Sequence, residues 1–308
     1  MPSLRIDRID DLNLVVCSRK PLSGQHHLPR STDSENNAWQ EHGTENKSFL
    51  SVVIPAKNEA ASLPRLIDEI TSALRPLTRT RLSRLAGFEI VVVDDGSTDL
   101  TQFVIDDLVV EYPELTVLRL VISGGQSAAT MTGIRAARGK WIATLDADLQ
   151  NDPMDLRRLW RALPGHDGVL GWRVKRQDTW CKKVISYWAN LVRNHVLGQF
   201  IRDTGCSVRI FPRAVALRLP TFNGMHRFLG PLLLREGCKL LQVPVHHRPR
   251  PHGRSHYNFS NRLFQVVIDL LGVLWLLRRP LDCRMTLASD LGKPMLQRES
   301  HLTSFSSR

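Results

Sequence analysis

The chain has 308 residues, with 42 Lys and Arg against 30 Asp and Glu for a net charge of +12, and 42% of it is hydrophobic. That leaves room for one large α/β domain with a substantial core, and it excludes a chain too polar to fold. Positive charge on this scale points to a polyanionic partner: nucleic acid, a phosphorylated substrate or an anionic membrane surface. Cys17, Cys181, Cys206, Cys238 and Cys283 are odd in number and scattered without any C-x-x-C, so they read as reduced thiols and not as a disulfide framework or zinc site.

Residues 1–47 contain no apolar stretch with a basic flank and a cleavage site, so a secretory leader is not expected. The run Ser31-Thr32-Asp33-Ser34-Glu35-Asn36-Asn37 has little to bury, and 1–47 is expected to be a disordered extension. Phe49 to Ile54, ended by Pro55, is a continuous apolar run of the kind that forms a buried parallel strand. The spacing of Leu63, Leu66, Ile67, Ile70 and Leu74 predicts a helix after it. Phe88 to Val93 repeats the strand, Asp94-Asp95-Gly96-Ser97-Thr98-Asp99 supplies a turn with helix-capping residues, and Phe103 to Val110 forms the next helix. Val117 to Val121 is a third strand, and a small-residue helix runs from Gly124-Gly125-Gln126-Ser127 to Ala137. Trp141 to Leu145 is a fourth strand, leading into Asp146-Ala147-Asp148-Leu149-Gln150. Alternating units of this kind predict an α/β fold of Rossmann-like type. Its central sheet is mainly parallel, with helices on both faces and ligands outside the carboxyl ends of the strands.

Those carboxyl ends carry the polar clusters. Glu59, Asp94, Asp95, Asp146 and Asp148 would converge on one rim. Asp146 and Asp148, with the carboxamide oxygen of Gln150, form an oxygen donor set suited to Mg²⁺ or Mn²⁺ held against a diphosphate. Taken alone, the acidic pair also fits a loop that caps a strand, with Asn151 or Asp152 opening the helix before Pro153. Taken one at a time, Asp94 and Asp95 fit turn and cap residues better than ligands. Four such clusters on one edge favour a nucleotide-diphosphate site.

Further along, Arg173, Lys175, Arg176, Lys182, Lys183 and Arg193 lie close together, as a solvated basic face or a phosphate-binding one. The apolar stretch between Arg262 and Arg279 falls short of the roughly 20 residues that span a bilayer. Gln265, Asp269, Trp275 and the flanking arginines suit an amphipathic helix over 261–280 lying in a membrane interface, with a core-packing helix as the alternative. Residues 281–308 are expected to be a disordered tail.

VVIPAKNE (52–59), EIVVVDDGSTD (89–99), the run from Gly124 to Pro153 and GWR (171–173), in this order, resemble the family 2 glycosyltransferases of GT-A fold. Within them the resemblance is to the polyprenyl-phosphate glycosyltransferases, the group that includes dolichol-phosphate mannose synthase. It implies a GT-A domain over 48–260. The implied activity is inverting transfer of a sugar from a UDP- or GDP-sugar to a dolichyl- or undecaprenyl-type phosphate. Mg²⁺ or Mn²⁺ would be the cofactor, and the protein would be peripheral on the cytoplasmic face of the cell (inner) membrane.

Carried over residue by residue, Pro55, Ala56, Asn58 and Glu59 match the first nucleotide loop, and Asp94 and Asp95 match the pair on the nucleobase and ribose side. Gln126 and Ser127 match a helix start near the nucleotide, and Asp146, Asp148 and Gln150 match the metal and donor-diphosphate site. Arg173, Lys182 and Ser186 match positions that bind the lipid phosphate. Asp203, in a stretch with Gly205, Cys206 and Arg209, would orient the acceptor or sugar, or cap the turn at Gly205. Arg250, Arg254 and Ser255 match a segment that closes over the diphosphate. The chain departs from relatives at Lys57, where Tyr or Phe is frequent, at Lys182, where Arg is frequent, and at His256, where Lys is usual. The first of these leaves the nucleobase open.

A hydroxyl acceptor on a cell-envelope glycan or lipid would share the donor half and need a base, for which Asp203 is the candidate. A sugar nucleotidyltransferase would carry a Gly-rich loop where PAKNE stands. A non-catalytic module binding nucleotide or an anionic membrane surface would not need the acidic motif beside VDDGS. Nucleic acid is not expected as a partner, since the basic residues gather near the predicted cleft and no recognition motif is present. The sugar and the oligomeric state are left open.

Overall fold

The computed structural model describes residues 14–17, 48–80, 83–174, 201–249, 268–276 and 279. Strands β1 (Leu14–Cys17), β2 (Ser48–Ala56), β3 (Leu85–Asp94), β4 (Leu115–Leu120), β5 (Trp141–Thr144), β6 (Gly168–Arg173), β7 (Arg209–Pro212) and β8 (Leu240–Val245) make one eight-stranded sheet in the order β1-β4-β3-β2-β5-β7-β6-β8. Strands β4, β3, β2 and β5 are parallel, as are β6 and β8, while β7 runs against both of its neighbours and β1 against β4. The mainly parallel sheet expected from the alternating pattern is therefore present, with an antiparallel strand inside it.

Helices α1 (Leu63–Arg79), α2 (Thr101–Glu111), α3 (Gly125–Ala136) and α4 (Asp155–Ala162) alternate with the strands, followed by the short α5 (Arg213–Ala216), a 3₁₀ turn Met225–Arg227 and α6 (Leu229–Arg235). They cover both faces, which is why the strands read as unbroken apolar runs. On β2, Leu50, Val52 and Ile54 enter the core under α1, α2 and α4, and Val53 enters the second core under α3 and α6. On β3, Phe88, Ile90 and Val92 divide from Val91 and Val93 in the same way. Helix α1 begins with Pro64 in its first turn, where no amide hydrogen is needed, and buries Leu63, Leu66, Ile67, Ile70, Leu74 and Leu77 along one stripe.

Away from the rim, Glu89 is 2% exposed within the sheet. It accepts hydrogen bonds from Ser51 Oγ (2.6 Å), Arg138 N (2.7 Å) and Arg138 Nε (2.9 Å), and Ser51 Oγ accepts Gly139 N–H (2.8 Å). A Cβ on Gly139 would lie 2.6 Å from Ser51 Oγ, so the connection from α3 to β5 can pass only as glycine.

Two features depart from the sequence pattern. Strand β7 is antiparallel because β6 ends at the carboxyl rim and residues 201–208 are still there, so the next strand can only run downward. Leu14–Cys17, inside the stretch expected to be an extension, pairs with the open edge of β4; four residues suffice once an unpaired edge is offered. Cys206 and Cys238 are buried free thiols, and burial pushes both up to about 11.

Residues 268–276 are helical. Val273 is fully buried as part of the second core, the one that holds Met225, Phe228 and Leu229, and Leu270 and Leu274 pack against that core. Ile268, Leu271 and Trp275 are 51%, 59% and 58% exposed on the other side. Among the described residues no helix is long and apolar enough to cross a membrane.

Candidate active site

Strands β2 and β3 end in register, Ala56 opposite Asp94, so their loops emerge side by side and are stitched together. Asp95 N–H donates to Ala56 O (2.8 Å) and Asn58 N–H to Ser97 Oγ (2.9 Å). Asn58 Oδ1 accepts Thr98 N–H (2.8 Å), and Glu59 N–H donates to Thr101 Oγ1 (2.9 Å). Asn58 holds a φ of +55°, a left-handed turn that Asn tolerates better than most residues. Pro55 and Ala56 belong to the strand itself. The Asn58 carboxamide braces the neighbouring loop, and Glu59 accepts Ser62 Oγ–H (2.9 Å) at the start of α1.

The two aspartates that follow have separate duties. Asp95 accepts from Gly124 N (2.7 Å), Gly125 N (3.0 Å) and Ser123 Oγ (2.8 Å), capping the start of α3. Gly125 sits at φ +80°, which brings its amide to that carboxylate. Asp94, 1% exposed, gives Oδ1 to Ser97 N–H (2.9 Å), whereas its buried Oδ2 has no hydrogen-bond partner among the described residues. A buried carboxylate oxygen without a donor is costly, so it is a position that a ligand N–H would satisfy. Lys57 reaches over the two loops, its Nζ 2.8 Å from Ser123 Oγ.

Past β5, burial alternates along the acidic loop: Ala147, Leu149 and Asn151 are buried, while Asp146, Asp148, Gln150 and Asp152 are partly open. Leu149 holds a φ of +59°, which costs a leucine about 1–2 kcal/mol and is held in place by its 2% exposure in the core. Asp146 Oδ1 accepts Gln126 Nε2–H (2.8 Å), and Asp148 Oδ1 accepts Gln150 N–H (3.2 Å). Poor solvation, then the charge of Asp148, push the Asp146 carboxyl up to about 6 against the opposing pull of Ser207, Arg209 and Arg173. Two crowded carboxylates suit a hard divalent cation, which would relieve that repulsion.

Across the cleft, Arg173 and Asp203 form a two-pronged pair, Nε to Oδ2 at 2.7 Å and Nη2 to Oδ1 at 2.9 Å, and Gly205 N–H also donates to Oδ1 (3.1 Å). Asp203 therefore caps the turn at Gly205 and holds Arg173. Next to this pair, Arg202 lies over the Trp172 ring at 4.9 Å. Arg209, 5% exposed, donates to Thr204 O and His226 O, both at 2.8 Å. Ser127 turns away from Gln126: its hydroxyl accepts Gly224 N–H (3.0 Å) and meets His226 Nδ1 (2.7 Å). Lys182, Ser186, Arg250, Arg254 and Ser255 lie outside the described residues.

The site thus brings Glu59, Asp94, Asp95, Gln126, Asp146, Asp148 and Gln150 to one rim, as the strand-end argument requires. Sequence reasoning missed Ser123, Ser207, His226 and Arg248, which contact Asp95, Asp146, Ser127 and Gln150 respectively. Serines and a lone His give no spacing signal. Arg248 is one of several arginines in a Pro- and His-rich run.

A family model for glycosyl transferase family 2 matches residues 51–221. The chain is 34% identical over 235 residues to the dodecaprenyl-phosphate galacturonate synthase of Rhizobium johnstonii, covering 74% of this chain and 67% of that protein. It is 34% identical over 225 residues to an undecaprenyl-phosphate 4-deoxy-4-formamido-L-arabinose transferase of Aeromonas hydrophila, covering 72% and 67%. In three dimensions it is similar to a mannosyltransferase from Pyrobaculum calidifontis solved with GDP-Man and Mn²⁺, with a TM-score of 0.54 and 20% identity over 87% of this chain and 73% of that one. It is also similar to the glucosyl-3-phosphoglycerate synthase of Mycobacterium tuberculosis solved with Mn²⁺, UDP and glucosyl-3-phosphoglycerate, with a TM-score of 0.55 and 21% identity over 85% and 90%. The expected GT-A fold and family are thereby borne out: the chain belongs to glycosyl transferase family 2 and is a glycosyltransferase.

Proposed function

We propose that the protein moves a sugar, with inversion, from a UDP-sugar to a polyprenyl phosphate on the cytoplasmic face of the cell membrane, with Mg²⁺ or Mn²⁺ held by Asp146, Asp148 and Gln150. The observation that carries the acceptor assignment is the Arg173–Asp203 pair. A hydroxyl acceptor needs a base, and both oxygens of Asp203 are already committed to Arg173 and to Gly205 N–H. A lipid phosphate is an anion near neutral pH and needs none. The relatives named above carry polyprenyl phosphates in their names, which supports the same reading.

For the donor, Asp94 offers a single unsatisfied acceptor, Oδ2. Uracil presents one N–H between two carbonyls on its pairing edge, whereas guanine presents two adjacent N–H groups that would ask for both carboxylate oxygens. Uracil is the better match. A divalent cation bound at the acidic loop would supply Lewis-acid stabilisation of the departing diphosphate. The rest of the work belongs to the chain. Gln126 orients Asp146, the turn at Leu149 presents Asp148 and Gln150, and the stitched loops hold the nucleoside so that the anomeric carbon meets the acceptor in line. Lys182 and Ser186, with Arg173, are assigned to the lipid phosphate, and Arg250, Arg254 and Ser255 to the donor phosphates. The bare apolar face Ile268, Leu271 and Trp275, with Arg279 5.4 Å from the Trp275 ring, suits a peripheral helix in an anionic membrane interface.

The test is incubation of membranes containing the protein with radiolabelled UDP- and GDP-sugars, followed by lipid extraction. An acid-labile label in the organic phase from a UDP-sugar is the expected result. Label from GDP-sugars alone would overturn the Asp94 argument, and an acid-stable glycolipid would point to a hydroxyl acceptor. No lipid label from any donor would sink the assignment.

A further inference from the structure

The acidic loop is bound along its far side by the chain leaving β8. Three consecutive residues tie to it and to the helix it leads into: His246 N–H donates to Asp155 Oδ2 (2.6 Å) at the start of α4, His247 forms an antiparallel bridge with Asn151, and Arg248 N–H donates to Gln150 O (2.7 Å). The Arg248 guanidinium then spans two carboxylates, Nη1 to Glu69 Oε2 at 2.6 Å and Nη2 to Asp152 Oδ1 at 2.9 Å. Glu69 lies on α1 and is also held by Arg65 Nε at 2.7 Å. The strap is therefore anchored to a core helix and not only to another loop. Burial works against the Arg248 charge, but Glu69 and Asp152 outweigh it and raise its proton affinity.

The contact matters because of where it falls. Gln150 follows Leu149, the residue at φ +59°. Relaxation of that turn to ordinary backbone would swing Asp148 and Gln150 relative to Asp146. Leu149 is pinned on its side-chain face by the core, and Gln150 is pinned on its backbone by Arg248.

We propose that Arg248 is a positioning residue for metal binding: clamped by Glu69 and Asp152, it locks the loop Asp146–Gln150 in its metal-holding shape without touching the metal. This rests on the reading of that loop as the metal site. Partners that orient metal ligands are typically worth about 10–100-fold in metal affinity, which sets the size of the expected effect.

The experiment is Mn²⁺ titration of the full-length metal-free protein, followed by electron paramagnetic resonance, with no sugar nucleotide or lipid present and with thermal unfolding measured in parallel. The double variant Arg248→Gln/Asp152→Asn keeps the net charge and removes the clamp, and it should bind Mn²⁺ about tenfold more weakly. Glu69→Gln, which leaves Arg248 and Asp152 in place, should weaken binding by a smaller factor and serves as the test if the double variant does not fold. Arg75→Gln breaks a comparable pair with Glu114 at 2.9 Å from the same helix and should leave Mn²⁺ affinity unchanged. Wild-type affinity in the clamp variants, or equal weakening in Arg75→Gln, overturns the proposal while leaving the metal site standing. A wild-type protein that binds no Mn²⁺ overturns the metal reading and the role of Arg248 with it.

Discussion

The two halves of the rim are held together by different means. In the donor half, β2 to β5, parallel strands end side by side. Their loops are joined through short side chains and backbone: Asn58 to Ser97 and Thr98, Glu59 to Thr101, Asp95 to Gly124 and Gly125. In the acceptor half, β6 to β8, the ties are long charged and aromatic side chains: Arg173 to Asp203, Arg202 to Trp172, Arg209 to two carbonyls. Short ties set the spacing of neighbouring loops to within a hydrogen bond, at the edge proposed above to take the nucleoside diphosphate. Long ties draw segments together over a greater distance and bury charge as they do so, so breaking one should cost stability.

The donor half should fail chemically while remaining folded. Asp148→Ala is expected to lower turnover about 10³-fold, or roughly 4 kcal/mol, with the unfolding temperature close to that of the wild type. Initial rates at saturating Mn²⁺ check this, and unchanged turnover would remove the metal from the mechanism. The acceptor half should fail structurally. With side chains 14% and 9% exposed, Arg173 and Asp203 form a nearly buried pair, and Asp203→Asn or Arg173→Met should cost about 3 kcal/mol of stability by denaturant unfolding. Loss of turnover in Asp203→Asn at full stability, with turnover kept in Arg173→Met, would instead make Asp203 a base and reverse the comparison.

A smaller effect separates the metal-free donor half from the rest by pH. Asp146 is raised from 3.8 to about 6, so between those values the folded protein binds more protons than the unfolded chain. Its contribution to stability is therefore present in full below the unfolded value of 3.8 and is lost as pH rises through 6, by at most about 3 kcal/mol. Added Mn²⁺ should raise the unfolding temperature little at pH 5 and much more at pH 7.5. Asp146→Asn should flatten that difference. The smallest effect on the fold is expected from Trp275→Ala, within about 0.5 kcal/mol, together with an approximately tenfold loss of partitioning into anionic vesicles. Val273→Ala, on the buried face of the same helix, should do the opposite and lose about 1–2 kcal/mol with partitioning retained.

Legibility followed the same division. Strands β2 to β5 could be read because each is covered on both faces and so appears as an unbroken apolar run, and the acidic loop could be read because it ends one of them. Asp94 and Asp95 look alike in the chain, yet one caps α3 and the other keeps an unsatisfied oxygen; only the positions of Ser123, Gly124 and Gly125 separate them. The direction of β7 is set by where the preceding excursion ends, and Arg248 by partners 179 and 96 positions away in sequence. Neither leaves a local pattern. Leu14–Cys17 is too short for periodicity to mark.

The helix at 268–276 also bears on how the molecule would be shortened. Cutting the chain before residue 268 looks like a way to remove a greasy surface, since Ile268, Leu271 and Trp275 would go. The same cut takes Val273 out of the second core and Asp269 away from Arg227, 3.6 Å from it. The turn carrying His226 would lose its outer support, and a new apolar surface would open beside the catalytic cleft. A trimmed enzyme would trade one exposed apolar face for another opened in its own core.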